Sequence, residues 1–395
     1  MIKDKETAGP SPAKKELTMM QPLSQTILDY LEAHRERYLS GLRELAQIPA
    51  PSGQEQQRAA WCKQRLEALG AKGVYIDSAC NVIFPYYAEG CDDLTVFNAH
   101  LDVVFPDTTP LPIREENGRL CGPGVGDDTA NVLAVIELAA LCLELGLRPK
   151  KGTGILFVLN SCEEGLGNLK GARQLMADYA GRIRRMVAVD GGVDEFVNDA
   201  VGSKRFEVTV RTEGGHSYGS FGNRNAIRYL AQMIDTLYTM KVPDIGKTTY
   251  NVGTIQGGTS VNTIAQECHM LFEYRSDKRE GLEAMDRLFW AVIEAYRAMG
   301  IQVEVETVGD RPCAAEVDVE PLSRLVMGAG AAQGLTMTAE AGSTDCNIPL
   351  SQGIPAVCFG VYRGHGAHTR EEWIDLESTR LGLRLLTQFF LEWVE

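Results

Sequence analysis

Short apolar runs of strand length alternate with helix-length segments along this chain, give way to a different rhythm for roughly one hundred residues, and then return. Helical apolar spacing covers Gln25–Leu45, through Ile27, Leu28, Leu31, Tyr38, Leu42 and Leu45, and again Gln54–Leu69. Strands follow at Val82–Tyr87 and Leu94–His100, then a buried helix Asn131–Leu145, a strand Ile155–Asn160, a helix Leu169–Ala180 and a strand Met186–Asp190. Parallel strands need a crossover between them and are covered on both faces, so this alternation predicts an α/β/α sandwich around a mostly parallel sheet. After Asp190 come strand Arg205–Arg211, helix Asn223–Met240, strands Thr249–Gln256 and Cys268–Arg275, helix Gly281–Met299 and strand Val303–Val308. That β-α-β-β-α-β order is the ferredoxin-like α+β unit. The first pattern resumes with helix Glu320–Gln333, strand Ala356–Phe359 and helix Ser378–Val394. The expected organisation is a flexible tail over residues 1–20, one α/β domain in two pieces at 21–200 and 310–395, and an inserted domain at 201–309.

Composition removes several function classes. With 39 Lys plus Arg against 53 Asp plus Glu, the formal charge is −14, and no basic block is present. Nucleic acid and anionic membranes are therefore poor partners. At 44% hydrophobic and 23% charged residues, the chain has the make-up of a folded protein rather than a disordered one. The longest apolar stretch, Val132–Leu147, is shorter than the ~20 residues of a membrane span and carries Glu137 and Glu144. Met1 is followed by polar, mixed-charge residues through Lys15, unlike a secretory signal, and the ten cysteines form no CxxC pair. Reduced thiols in the cytoplasm are expected.

Five places gather chemistry. His100-Leu-Asp102 closes an apolar strand, and the carboxyl ends of such strands are where open α/β sheets bind ligands. An acid beside a metal-bound imidazole is the usual orienting partner. Gly122-Pro-Gly-Val-Gly-Asp127-Asp128 leads into a buried helix, but its spacing is neither GxGxxG nor a P-loop, and two acids would repel phosphate. Cys162-Glu163-Glu164-Gly165 follows the strand Ile155–Asn160. One of its carboxylates can bind metal while the other serves as a general base. Asp190 precedes two glycines at a strand end, and Gly364-His-Gly-Ala-His368 follows the strand Ala356–Phe359. Singly, each also fits an ordinary role: a turn histidine, a helix N-cap, a solvated loop pair. Together they place His or carboxylate at five predicted strand ends of one sheet. Two histidines with several carboxylates suit Zn²⁺, Mn²⁺ or Co²⁺, and five ligands exceed the roughly three that one catalytic zinc needs. Two ions sharing a bridging carboxylate fit better.

The series H-L-D, G-P-G-V-G-D-D, E-E-G, V-D-G-G and G-A-H-T resembles, in order and spacing over almost everything after residue 20, the co-catalytic dizinc exopeptidases and deacylases. That family includes peptidase T, bacterial glutamate carboxypeptidase, aminoacylase-1 and succinyl-diaminopimelate desuccinylase. The resemblance implies that His100, Asp127, Glu164, Asp190 and His368 are metal ligands. Asp127 would bridge, His100 and Asp190 would complete one metal, and Glu164 and His368 the other. It further implies that Asp102 orients His100 and that Glu163 is the general base, which later protonates the leaving amine. In the inserted domain, His216 matches a lid histidine that reaches a neighbouring subunit's site and stabilises an oxyanion. Asn262 matches a substrate-contacting Asn, Arg275 an Arg that pairs with a substrate carboxylate, and Ser343 a loop beside that carboxylate. Thr129 and Ala130 depart from the Lys-Gly that many members carry, and the segment 216–222 departs from the usual lid pattern. The segments around Asp102 and Asp190 look most like the peptidase T branch.

The expected activity is hydrolysis of an amide bond in a small peptide beside a free carboxylate, by a cytoplasmic homodimer joined through the inserted lid domain and carrying two divalent ions per subunit, zinc first. Alternatives are a deacylase of N-acyl or N-carbamoyl amino acids, a non-catalytic peptide-binding scaffold, and a cysteine hydrolase using Cys162.

Overall fold

The computed structural model describes residues 20–395, so the expected tail lies, except for Met20, outside the described residues. An eight-stranded sheet runs in the order Tyr75–Ile76, Val82–Tyr86, Gly154–Asn160, Leu94–His100, Ile183–Ala188, Ala356–Cys358, Glu195–Ala200, Thr338–Gly342. Its central strands pair in parallel, Leu94–His100 with both Gly154–Asn160 and Ile183–Ala188, and the last in turn with Ala356–Cys358. Every residue of Leu94–His100 and Gly154–Asn160 is buried, as a sheet covered on both faces requires. One face carries Tyr38, Leu42, Phe97, Phe157, Phe389 and the helix Asn131–Leu145. The other carries Leu156, Val158, Leu175 and Met186.

The inserted segment forms a second, antiparallel sheet in the order Thr248–Gly257, Glu267–Ser276, Gly202–Arg211, Gln302–Arg311. Burial alternates along Glu267–Ser276, so Cys268, Met270, Phe272 and Tyr274 face the helices Ala226–Tyr238 and Arg279–Ala298. Phe289 has no exposed surface and stacks on Phe206 at 4.3 Å and Phe272 at 5.4 Å. Truncating such a ring to Ala costs about 3–5 kcal/mol.

Three differences from the sequence reading bear on the site. The expected helix Gln25–Leu45 is two helices, Gln25–Ala33 and Arg35–Ala46, because His34 leaves helical geometry and its ring nitrogen meets the Tyr30 carbonyl at 2.9 Å. Strands Glu195–Ala200 and Thr338–Gly342 carry little apolar signal; they flank the sheet's edge, and the latter is largely exposed. A small antiparallel sheet also joins Gly364–His365, Trp373–Asp375, Arg119–Cys121 and Arg114–Glu116. Its strands are two or three residues long, below the length at which periodicity registers.

Candidate metal centre and its pocket

Strand ends of the main sheet deliver three of the expected groups. His100 is the last residue of Leu94–His100, Glu163 and Glu164 follow Gly154–Asn160, and Asp190 follows Ile183–Ala188 by two residues. Asp127 and His368 arrive differently from the expectation of five ends of one sheet. Asp127 follows the short strand Arg119–Cys121, and His368 lies between the short strands Gly364–His365 and Trp373–Asp375. The small sheet holds these two connections side by side, because Trp373 pairs with Cys121 and Ile374 with Leu120.

The groups converge. His100 Nε2 lies 3.0 Å from Asp127 Oδ1, and His368 Nε2 lies 3.1 Å from Asp127 Oδ2 and 3.0 Å from Glu164 Oε1. Ligand atoms of His100, Asp127, Asp128 and Asp190 fall within 4.8 Å of one another, as do those of Asp127, Glu164 and His368. The two sets share Asp127. A third set joins His100 with Glu163 and Glu164. His100 Nδ1 meets the backbone carbonyl of Asp102 at 3.0 Å and its carboxylate at 3.5 Å, so the main chain of Asp102 is the nearer partner. The Asp102 carboxylate accepts the backbone N–H groups of Glu163 and Glu164, both at 2.9 Å. Asp128 accepts the His100 backbone N–H at 2.9 Å.

The electrostatics call for cations. Burial pushes the Glu163 and Glu164 carboxyls up and Asp190 up to about 6, with neighbouring carboxylates adding to the effect. Burial also opposes ionisation of Asp127, but the two imidazoles beside it hold its carboxyl below the usual range. His368 is raised to about 10 by its bonds to Asp127 and Glu164. Protonated imidazoles thus balance the crowded acids when no metal is bound. A set of two imidazoles and several carboxylates around a shared Asp fits two divalent ions, which would supply that positive charge and free the imidazole nitrogens as ligands.

A cavity of about 380 Å³ opens at this point, and Asp127, Glu163, Glu164, Asp190 and His368 line it. Arg205, Arg275, Arg311 and Ser343 also line it. Arg311 donates to Glu163 Oε1 at 3.2 Å and to Ser343 Oγ at 3.2 Å, and also to the Glu163 carbonyl. Arg275 donates to Glu273 at 2.9 and 3.1 Å, and Arg205 shares the same carboxylate at 3.2 Å. Arg205 also donates to the Gly165 carbonyl. Arg311 and Arg205 went unread in the sequence; the strand carrying Arg311 runs to residue 311 rather than 308, which brings its guanidinium to the site.

Two expected residues lie elsewhere. His216 is exposed on the short strand Gly215–His216, paired with Thr263–Ile264, and its Nδ1 accepts the backbone N–H groups of Tyr218 and Gly219 at 3.2 Å. Asn262 is exposed beside it and accepts the Ser217 N–H through its carbonyl. Neither lines the cavity. Cys162 is 4% exposed and its thiol meets Glu55 at 3.4 Å, so it offers no accessible nucleophile.

Fold and site define a metal-dependent hydrolase of the peptidase and deacylase class, with a two-metal centre at the sheet's carboxyl edge. The chain belongs to peptidase family M20/M25/M40, whose sequence model matches residues 96–392. It is 26% identical to a putative succinyl-diaminopimelate desuccinylase, DapE, of Mycobacterium tuberculosis, over 87% of this chain and 95% of that protein. It is 28% identical to an acetylornithine deacetylase of Myxococcus xanthus, over 69% of this chain and 72% of that one. A tripeptidase structure from Staphylococcus aureus subsp. aureus mu50 shares the fold at a TM-score of 0.72 and 23% identity, covering 90% of this chain and 97% of that chain. No helix of the described residues is long and apolar enough to cross a membrane.

Proposed function

We propose that this chain hydrolyses an amide bond next to a free carboxylate in a small peptide or N-acyl amino acid, using two zinc ions, with Mn²⁺ or Co²⁺ as substitutes. The observation that carries this reading is the pair of donor sets sharing Asp127 at the edge of an arginine-lined cavity. His100 and Asp190 would complete one ion's protein ligands and Glu164 and His368 the other's, with Asp127 between them. Bound there, the ions supply Lewis acidity, polarising the scissile carbonyl and acidifying a water.

The chain's own groups do the rest. Glu163 takes the water's proton and returns it to the departing nitrogen. Arg311 holds Oε1 of Glu163, and Oε2 has no protein hydrogen bond among the described residues. A substrate carboxylate is recognised by Arg275, with Arg311 and Ser343 beside it, because a guanidinium presents paired donors to a carboxylate. His216 would act in a homodimer, as a donor to the developing oxyanion in a partner subunit's site. The exposure of Tyr218 (90%), Phe221 (92%) and Val261 (100%) around His216 and Asn262 supports a second copy covering this surface. The ten cysteines are unpaired, in keeping with a reducing cytoplasm.

The deacylase reading is supported by the similarity to the desuccinylase and the deacetylase; the peptidase T-like reading rests on the segments around Asp102 and Asp190. One experiment separates them and tests the whole. The chelated protein is reloaded with Zn²⁺, Mn²⁺ or Co²⁺ and assayed against dipeptides, tripeptides and N-acyl amino acids. Metal-restored hydrolysis of one class is the expected result; no hydrolysis in any class with two ions bound overturns the proposal.

A further inference from the structure

Glu372 lies four residues beyond His368 and is 2% exposed. Its carboxylate accepts three backbone N–H groups from the loop that carries Asp127. Gly124 donates to Oε2 at 2.6 Å, and Gly126 and Asp127 donate to Oε1 at 2.8 and 2.9 Å. The Gly122 N–H donates to the Glu372 carbonyl at 2.9 Å. Four amides of one loop therefore end on a single residue of another. The loop needs this outside support. Gly124 has φ +70°, Asp127 and Asp128 leave helical geometry, and no regular ladder of the segment satisfies those amides.

The geometry points to Glu372 as the positioning residue of the shared ligand: its carboxylate fixes the main chain of Asp127 so that the two Asp127 oxygens stand between His100 and His368. Those oxygens sit 3.0 Å and 3.1 Å from the two imidazoles. Because Glu372 and His368 share the short connection between Gly364–His365 and Trp373–Asp375, one carboxylate ties a ligand of one metal to the ligand both metals share. A helix cap or a packing acid would satisfy amides without that linkage. Both oxygens must be acceptors. The isosteric Glu372→Gln replaces one of them with an NH₂ group, which would face an N–H group: donor against donor.

This inference rests on reading Asp127 as the shared ligand. The test measures Zn²⁺ affinity of the chelated full chain, together with the visible spectrum of its Co²⁺ form, for the natural protein, Glu372→Gln, Asp127→Asn and the double variant. Glu372→Gln is expected to keep the far-ultraviolet circular dichroism of the natural protein, bind Zn²⁺ 10- to 100-fold more weakly, and change the Co²⁺ spectrum. In the Asp127→Asn background the same change should have little further effect. Natural affinity and an unaltered Co²⁺ spectrum in Glu372→Gln overturn the proposal, as does an equal loss with and without Asp127. If Asp127→Asn alone leaves Zn²⁺ uptake unchanged, the ligand reading falls first and the inference with it. Should Glu372→Gln fail to fold, hydrogen exchange on the natural metal-loaded protein decides. Slow exchange at the amides of Gly124, Gly126 and Asp127 is expected, and exchange at open-loop rates overturns the proposal.

Discussion

The carboxylate of Asp102 accepts the backbone N–H of Glu164 at 2.9 Å through Oδ2. Its other oxygen accepts the Glu163 N–H, and the Ser52 hydroxyl donates to Oδ2 at 2.6 Å. A residue expected to orient one histidine thus also fixes the two neighbouring acids. In Asp102→Asn one acceptor becomes a donor, leaving one of the two amides without its partner. That costs about 1–3 kcal/mol for a buried group. A lower melting temperature together with weakened turnover is expected from calorimetry and assay. Natural stability would show that the two amides do not depend on this carboxylate.

Removing the proposed base should separate chemistry from metal binding. Glu163→Ala is expected to lower kcat by about 10²- to 10⁴-fold while bound metal stays near two per chain. Metal analysis beside steady-state kinetics reads both; near-natural turnover would reassign the base.

Arg275 already shares Glu273, yet its Nη1 has no protein partner among the described residues. A charge-assisted hydrogen bond is worth about 1.5–3 kcal/mol. Arg275→Ala should therefore lower kcat/KM about 10- to 150-fold for substrates with a free carboxylate, mostly through KM. Substrates with that carboxylate amidated should lose little. Equal losses for both would show that Arg275 does not read the carboxylate.

If His216 serves a partner subunit, two crippled chains should complement. His216→Ala is expected to lose about 10²- to 10³-fold in kcat, as removal of one oxyanion donor does. Mixed with Glu163→Ala chains, it should regain activity, because the hybrid holds one site with both groups. Equilibrium sedimentation checks the dimer, and mixtures no more active than either variant would place His216 outside the neighbour's chemistry.

Burial, with Glu163 nearby, pushes the Asp345 carboxyl up to about 8, and Oδ2 takes the amide groups of Asn98 and Asn160 at 2.9 and 2.7 Å. A raised acid keeps its proton in the folded state while the unfolded chain releases it near its ordinary value. Stability from this group is therefore greatest below about pH 4 and declines as pH rises towards 8, by about 1.4 kcal/mol per pH unit at most. Asp345→Asn, always neutral, should lack this decline. In metal-free protein, the melting temperature of the variant relative to the natural chain should climb between pH 4 and pH 8. A constant difference would mean that Asp345 is ionised in the fold.

The strands Leu94–His100 and Gly154–Asn160 and the helix Asn131–Leu145 were legible from residue order, since their apolar runs are long and each implies one buried element. So were the ferredoxin-like order of the insert and the residue types gathered at the candidate metal centre, because imidazoles and carboxylates among glycines after apolar strands have few other uses together. Contacts between distant segments leave no such periodic trace. The small sheet that sets Asp127 against His368 is made of strands of two and three residues. Arg311 meets Glu163 across 148 positions, and Glu372 reaches Gly124 across 248. In sequence each of these is one charged residue among many. Local order specified the elements and the chemical kinds of the candidate ligands; the packing of two sheets and their loops selected which charges meet, because a hydrogen bond depends on ångström-scale positions that residue order does not carry.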